Sequence, residues 1–255
     1  MPPFQRLAAL ALCALPAGVA AQDIRFDGSL AYSARDEVVG ERDGEEIDND
    51  ILRLTAALSW PAGGDGQMRA ALEFGVGNDD FSGDYPGLGG VELAFARNVG
   101  AQRYTLGGRV RTADDLTTTT ELAYVIERLG EGFDLRGMVG LQALNDPDLV
   151  VGRDGSSAFA LGEIGVYLTE NLVVSGGLMA DGDGEVFGAG VEYRPRTLGG
   201  ISFFLDYGEA FDEYRGVGSY DEFVGGIRIV PGASSLRDAR QGNLARVLQR
   251  FVEVQ

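Results

Sequence analysis

Carboxylates are the residues of this sequence that could do chemistry, and they are densest in one short stretch. The run VVGERDGEEIDND, residues 38–50, contains six of them: Glu41, Asp43, Glu45, Glu46, Asp48 and Asp50. Neighbouring carboxylates can act as general acid and base or bind a hard cation such as calcium. They can equally form a solvated, negatively charged loop. The run alone does not choose between a reactive site and an acidic surface.

Other reactive side chains are scarce. The chain has no histidine, and its single cysteine is Cys13. Ser156 and Ser157 therefore have no imidazole to activate them, and no GxSxG motif occurs. The motif DGDGE at 181–185 lacks the later ligands and helices of an EF-hand and is typical of a tight turn. The sequence predicts no catalytic residue, no metal site and no cofactor, so we expect the protein not to be an enzyme.

The charge balance narrows the range of partners. The chain has 39 acidic and 21 basic residues, all of the latter arginine, for a net charge of −18. Nucleic acids bind to basic surfaces. We therefore expect no nucleic acid partner.

The first 21 residues have the three parts of a secretory signal peptide. Arg6 supplies the positive segment, residues 7–15 the apolar stretch and residues 19–21 a small-residue cleavage site. The mature chain is expected to begin at Gln22. The sequence LALC around Cys13 leaves a lipoprotein as an alternative, although a leucine stands where a small residue is normally needed.

Strict alternation of apolar with polar or small residues dominates the rest of the chain. In ILRLTAALSW, residues 51–60, the apolar side chains at the even positions from Leu52 to Trp60 share one face of a strand. Twelve such strands are predicted, near residues 23–33, 51–60, 67–77, 90–97, 102–111, 118–128, 132–143, 157–168, 171–180, 185–194, 200–208 and 220–230. After residue 21 no apolar run approaches the ~18 residues of a membrane helix. The pattern predicts an all-β protein.

The connections and the two strand faces indicate which kind of all-β protein. Long and short connections alternate, as in bacterial outer-membrane barrels with loops at one end and tight turns at the other. The less apolar face carries glycine, alanine and serine with single arginines or glutamates. Small residues with spaced charges favour an enclosed lumen over a free surface. A soluble periplasmic β-sandwich that binds a ligand stays open as an alternative.

The signal peptide, alternating strands, glycine-rich turns and acidic long loops resemble those of a small Gram-negative outer-membrane β-barrel of porin type. The resemblance covers most of residues 22–231. It implies an up-and-down antiparallel transmembrane barrel of about twelve strands in outer-membrane lipid. It also implies transport, as a passive channel for small hydrophilic solutes. The chain departs from that family at EFVGGIRIVPG, which lacks a terminal aromatic residue and is followed by further chain.

Charges on the small-residue faces are expected to line the lumen of this barrel. They are Arg53, Arg69, Glu73, Glu92, Arg103, Arg109, Arg111, Glu121, Glu127, Asp134, Arg136, Glu163, Glu192, Asp206, Glu222 and Arg228. A hairpin centred on Asp115 would pair Arg109 with Glu121 and Arg103 with Glu127. Such a network could line a narrow water-filled pore, or it could close the lumen and leave a non-conducting structural barrel.

The acidic run 38–50 falls in the first long connection of this barrel. The other long connections carry acids too, and a catalytic cluster would concentrate its carboxylates at one place. This distribution favours an acidic extracellular rim that repels anions and attracts cations.

The tail, residues 232–255, has a different period. Its apolar residues Leu244, Val247, Leu248, Phe251 and Val252 follow helical spacing, which predicts an amphipathic helix. Four arginines make this tail the only basic segment. Two interpretations stay open: a helix packed under the barrel mouth or on the inner leaflet, or a docking element for a periplasmic partner.

Overall fold

The computed structural model describes residues 24–38, 46–79, 87–113, 117–144, 155–182, 184–211 and 220–242. Its strands are β1 Arg25–Val38, β2 Glu46–Pro61, β3 Gly66–Asp79, β4 Gly87–Val99, β5 Gln102–Ala113, β6 Thr117–Leu129, β7 Phe133–Leu144, β8 Ser156–Thr169, β9 Leu172–Asp181, β10 Gly184–Tyr193, β11 Ile201–Phe211 and β12 Tyr220–Ile229. Each strand pairs antiparallel with its neighbours in sequence, and β1 pairs with β12. The twelve-strand up-and-down barrel is confirmed. The sandwich alternative is wrong, because this pairing closes one continuous sheet.

The polarity of the sheet is inverted relative to that of a soluble protein. Leu52 and Leu54 are 46% and 49% exposed, whereas Arg53 between them is half-buried. All twelve strands present large exposed apolar side chains in this way. A surface so apolar on every side is suited to lipid, since water-soluble monomers rarely expose large contiguous apolar patches. Trp60 is predicted on the same strand face as Leu52 and Leu54 but differs from them, because it is buried, with 2% exposure.

The two ends of the barrel differ. The short-turn mouth is formed by the β2–β3, β4–β5, β6–β7 and β8–β9 turns and by the β10–β11 connection, which contains a 3₁₀ turn at Arg196–Leu198. At the same mouth the chain continues beyond β12 into one helix, α1, Leu236–Gly242. Among the described residues no helix is long and apolar enough to cross a membrane.

The first hairpin is longer than predicted at the opposite, long-loop end. Strand β1 was expected to end near residue 33 and β2 to begin near 51, but the β1–β2 ladder continues to the pair Val38 and Glu46. Backbone pairing needs no apolar side chains, so a hairpin can project beyond its apolar segment into water. Glu46, Asp48 and Asp50 therefore belong to a strand, not to a loop. Glu41, Asp43 and Glu45 lie outside the described residues.

An apolar band crosses the interior of the barrel. Val125, Met138, Leu161, Met179 and Val186 stand opposite one another on successive strands from β6 to β10. Each is at most 5% exposed. The interior of the barrel is therefore packed at this level.

Candidate functional site in the barrel lumen

The structure places all sixteen predicted lumen charges on the inward face of the sheet. Ten are buried and six are half-buried, and all alternate with the outward apolar residues. They comprise nine acids and seven arginines. The inward set also contains Asp27 and Arg35, which raise these numbers to ten and eight.

The hairpin of β5 and β6 pairs charges directly across two strands. Arg109 faces Glu121 and Arg103 faces Glu127, so the register predicted from sequence is confirmed. The Arg109 Nη2 and Nε atoms lie 2.6 and 3.0 Å from Glu121 Oε2. The Arg103 Nε atom lies 3.4 Å from Glu127 Oε2.

This pairing continues around the barrel as a ladder of alternating sign. Glu127 stands opposite Arg136 on β7, and Arg136 stands opposite Glu163 on β8. The Arg136 Nη1 atom lies 3.1 Å from Glu163 Oε2. Opposite charges on adjacent strands stabilise the sheet and fix its register. The ladder therefore makes one side of the lumen polar and rigid.

Glycines continue the same row on the next three strands. Glu163 faces Gly177 on β9, which faces Gly188 on β10, which faces Gly208 on β11. None of these positions projects a side chain into the lumen. Along this row the charged ladder on β5–β8 is thus continued on β9–β11 by positions without side chains.

Other ion pairs reach over an intervening strand that carries a small residue. Glu73 on β3 and Arg111 on β5 both stand opposite Gly90 on β4, and their side chains meet with Arg111 Nη2 2.9 Å from Glu73 Oε2. A Cβ on Gly90 would lie 3.2 Å from Arg111 Cγ. Glycine at this position therefore makes room for the pair. The small residues of the inward faces are what allow the charges to meet.

Asp27 was missed by the sequence reasoning and follows the same rule. Arg69 on β3 donates to both carboxylate oxygens of Asp27 on β1 at 3.2 Å, passing over the small residues Ala57 and Ser59 of β2. Asp27 alternates in step with the inward Ser29 and Ser33, and this parity could have identified it.

Arg35 requires a correction. The predicted strands near 23–33 and 51–60 leave it in the first long connection, but β1 continues past it, and its Nη2 atom lies 3.4 Å from Glu222 Oε2 on β12. This pair crosses the seam where the barrel closes. The pair exists because the barrel closes by joining its first strand to its last.

The Glu192 carboxylate on β10 contacts three polar side chains. Its Oε1 atom accepts from Ser202 Oγ at 2.6 Å and lies 2.7 Å from Arg228 Nη1. Its Oε2 atom accepts from Arg240 of helix α1 at 3.2 Å. Arg240 also approaches Glu163. A cavity of about 30 Å³ is lined by Arg240, Glu163, Glu127 and Asp134, among others. A space of this size holds a single water.

The carboxylates of the lumen are mostly arranged in ion pairs. Among the residues that the structure describes, no group of three or more histidine, cysteine, aspartate or glutamate side chains is placed to hold a metal ion. Arginines are the partners of five buried carboxylates, Asp27, Glu121, Glu163, Glu192 and Glu222. Of the acidic rim, the structure describes the side chain of Asp50, which is half-buried.

The closed barrel, its apolar exterior and its charged interior define the class of fold: a bacterial outer-membrane β-barrel. Among solved structures, the COG4313 outer-membrane channel from Pseudomonas putida F1 superimposes with a TM-score of 0.65 at 11% identity, over 85% of this chain and 99% of that chain. The NanC porin matches with a TM-score of 0.57 at 9% identity, over 79% and 98%. The toluene transporter TodX from Pseudomonas putida matches with 0.53 at 8%, over 83% and 90%.

These identities are low, so the likeness concerns the fold. No protein-family model matches the sequence, and no curated protein sequence does. The neighbours include porins and a toluene transporter, so the fold by itself does not select a solute.

Proposed function

We propose that the protein is an outer-membrane channel through which small hydrophilic solutes pass passively. The observation that carries this proposal is the inward face, where paired arginines and carboxylates stand on strands all around the barrel. Such a lining replaces water around a polar solute and offers nothing comparable to an apolar one. For this reason we favour hydrophilic solutes over one such as toluene.

The charge count supports a preference for cations. The eighteen inward charges named above, ten acids and eight arginines, leave an excess of two negative charges, which Arg240 of helix α1 lowers to one while it lies in the lumen. The acidic rim, Glu41 to Asp50, would add to this preference at the extracellular end, since a cleft lined by one sign of charge concentrates counter-ions.

Export and insertion complete this proposal. Residues 1–21 would be removed as a signal peptide, residues 22–231 would form the barrel, and residues 232–255 would stay at its periplasmic side. The outward apolar residues would contact outer-membrane lipid. A periplasmic partner for the tail stays a prediction, because residues 243–255 lie outside the described part of the chain.

A non-conducting structural barrel is the second candidate. It is favoured by the burial of ten of the sixteen predicted lumen charges and by the apolar band from β6 to β10. A barrel filled in this way could act as a structural or surface component, or dock a partner through its tail, without passing any solute.

Conductance in planar lipid bilayers separates the two candidates. We would measure the purified mature protein and a variant that ends at Gly232, each first shown to be folded by its heat-modifiable migration in gels. A channel should give discrete conductance steps in at least one of them, and a KCl gradient should give a reversal potential of the sign expected for cations. Folded protein that stays silent in both forms would rule out the channel.

A further inference from the structure

The segment that follows β12 crosses the short-turn mouth of the barrel. It leaves the sheet at β12, and Arg103 Nη2 of β5 donates to the Gln241 carbonyl at 2.6 Å. In the twelve-strand ring, β5 lies five strands from β12 in one direction and seven in the other. These strands are therefore on nearly opposite sides of the mouth. Residues 233–242, here called the C-terminal plug, span the opening between them.

The plug is seated by contacts with the turns and strands that surround the mouth. At its start Arg194, just beyond β10, donates to the Ala233 carbonyl, and burial lowers the pKa of the Arg194 guanidinium. Leu236 is fully buried against Tyr167 and Val173, and its backbone N–H donates to Asn171 Oδ1 at 3.2 Å. The first half of the plug is thus fixed to the β8–β9 and β10 side.

The helix of the plug is capped and fixed at its far end as well. Ser235 Oγ accepts from the Asp238 N–H at 3.1 Å, and Asp238 Oδ2 accepts from the Ser234 N–H at 2.8 Å, so side chains cap the start of α1. Gln241 Nε2 donates to the Gly130 carbonyl at 2.7 Å and to Asp134 Oδ1 at 2.9 Å in the β6–β7 region. Both ends of the plug therefore touch the rim of the mouth.

Arg240 is the side chain of the plug that enters the lumen. Its Nη1 atom lies 3.2 Å from Glu192 Oε2 and its Nη2 atom 3.7 Å from Glu163 Oε1. Its guanidinium lies where a side chain on Gly165 would otherwise be, 3.4 Å from the place of a Cβ. It joins the charged ladder on β7 and β8 to the Glu192 cluster on β10. Arg240 thus occupies the lumen between two sets of fixed charges.

Each of the two carboxylates that bind Arg240 has a second arginine partner. Glu163 gives its other oxygen to Arg136 at 3.1 Å, and Glu192 gives its other oxygen to Arg228 at 2.7 Å. If Arg240 left, each carboxylate would keep an arginine from the barrel wall. The high cost of leaving a buried charge without a partner would therefore not arise. The barrel can accommodate a seated and a released plug.

We infer that the C-terminal plug closes the periplasmic mouth of the channel and that Arg240 holds it closed. This inference rests on the proposed channel function and adds its regulation. The seated state is the one in the structure. In the released state Arg240 withdraws from Glu163 and Glu192, and the lumen loses one positive charge, which favours cations further.

The test compares Arg240→Gln with a matched control, Arg196→Gln. Arg196 is an exposed arginine at the same mouth, so its replacement removes the same charge without touching the plug. Each mature, folded protein is measured in planar bilayers. Trypsin cleavage after Arg237, which lies over the Tyr167 ring in the seated plug, is followed by mass spectrometry. This second readout reports the position of the plug without reference to current.

We expect Arg240→Gln to raise the open fraction about tenfold, equivalent to about 1.4 kcal/mol, and to accelerate cleavage after Arg237 by a similar factor. Arg196→Gln should match the wild type in both. If wild type and Arg240→Gln conduct equally and are cleaved equally, the plug inference is overturned and the channel stands. If cleavage accelerates and neither Arg240→Gln nor the variant ending at Gly232 conducts, the channel function is overturned instead.

Discussion

The buried pair of Arg109 and Glu121 allows a quantitative test of the lumen network. Both side chains are 5% exposed, and two arginine nitrogens contact one carboxylate oxygen at 2.6 and 3.0 Å. Removing one member of a buried ion pair typically costs about 3–5 kcal/mol, because the other charge stays buried. Arg109→Gln should therefore lower the free energy of unfolding by about 3 kcal/mol.

The reciprocal change should cost less. In Glu121→Gln the arginine keeps a second carboxylate beside it, since Glu92 of β4 stands opposite Arg109 on the other side. The glutamine can still accept a hydrogen bond, so a loss of about 1–2 kcal/mol is expected. The double replacement Arg109→Met with Glu121→Met should recover at least half of the loss of Arg109→Gln, because no charge remains unpaired in that hairpin.

Urea titration of the protein folded in lipid vesicles measures these differences, with the heat-modifiable gel band reporting the folded fraction. The control is Arg97→Gln on β4, an exposed arginine whose loss should change stability by less than about 0.5 kcal/mol. An Arg109→Gln variant as stable as this control would refute the stabilising role of the buried ion pair. A larger loss in Glu121→Gln than in Arg109→Gln would refute it as well.

Three further outcomes follow from the structure. Gly226→Ala should lower the free energy of unfolding by about 1–3 kcal/mol in the same titration, because the added Cβ would lie 2.7 Å from the Phe204 ring and overlap the Leu30 carbonyl. The control Gly137→Ala places its Cβ in open space and should be near neutral. Gly90→Val should separate Arg111 from Glu73 and lower the free energy of unfolding by a similar amount. A Gly90→Val variant as stable as the wild type would contradict the rule that small residues make room for ion pairs across a strand. A variant with Glu41, Asp43, Glu45 and Glu46 replaced by glutamine or asparagine should keep its folded fraction and lose part of its cation preference, measured as a smaller reversal potential in bilayers. An unchanged reversal potential would show that the acidic rim does not contribute to ion selectivity.

Some of the lumen pairs could be predicted from sequence because they are local. Arg109 and Glu121 belong to one hairpin with a short connection, so the hairpin centre alone sets which residues face each other. The pair of Arg69 and Asp27 could not be found in this way. It depends on the registers of two successive hairpins and on Ala57 and Ser59 leaving space between the partners.

The boundaries of the first hairpin could not be predicted from the sequence, for a different reason. Periodicity detects a strand by its apolar face, and that face ends before the backbone ladder does. Arg35 and Asp50 were accordingly assigned to a loop, although both lie in paired strands. Hydrogen bonding continued where the apolar signal had stopped.

The sequence by itself determined the period-two strands, their number and the two chemically different faces, because the alternation of side chains is a property of each strand alone. Tertiary structure decided what depends on closing the ring. The pair of Arg35 and Glu222 exists because β1 meets β12, and the pair of Arg240 and Glu192 exists because the chain turns back across the mouth after β12. Arg35 and Glu222, 187 positions apart in the sequence, come together through the accumulated register of all twelve strands, which no single strand encodes.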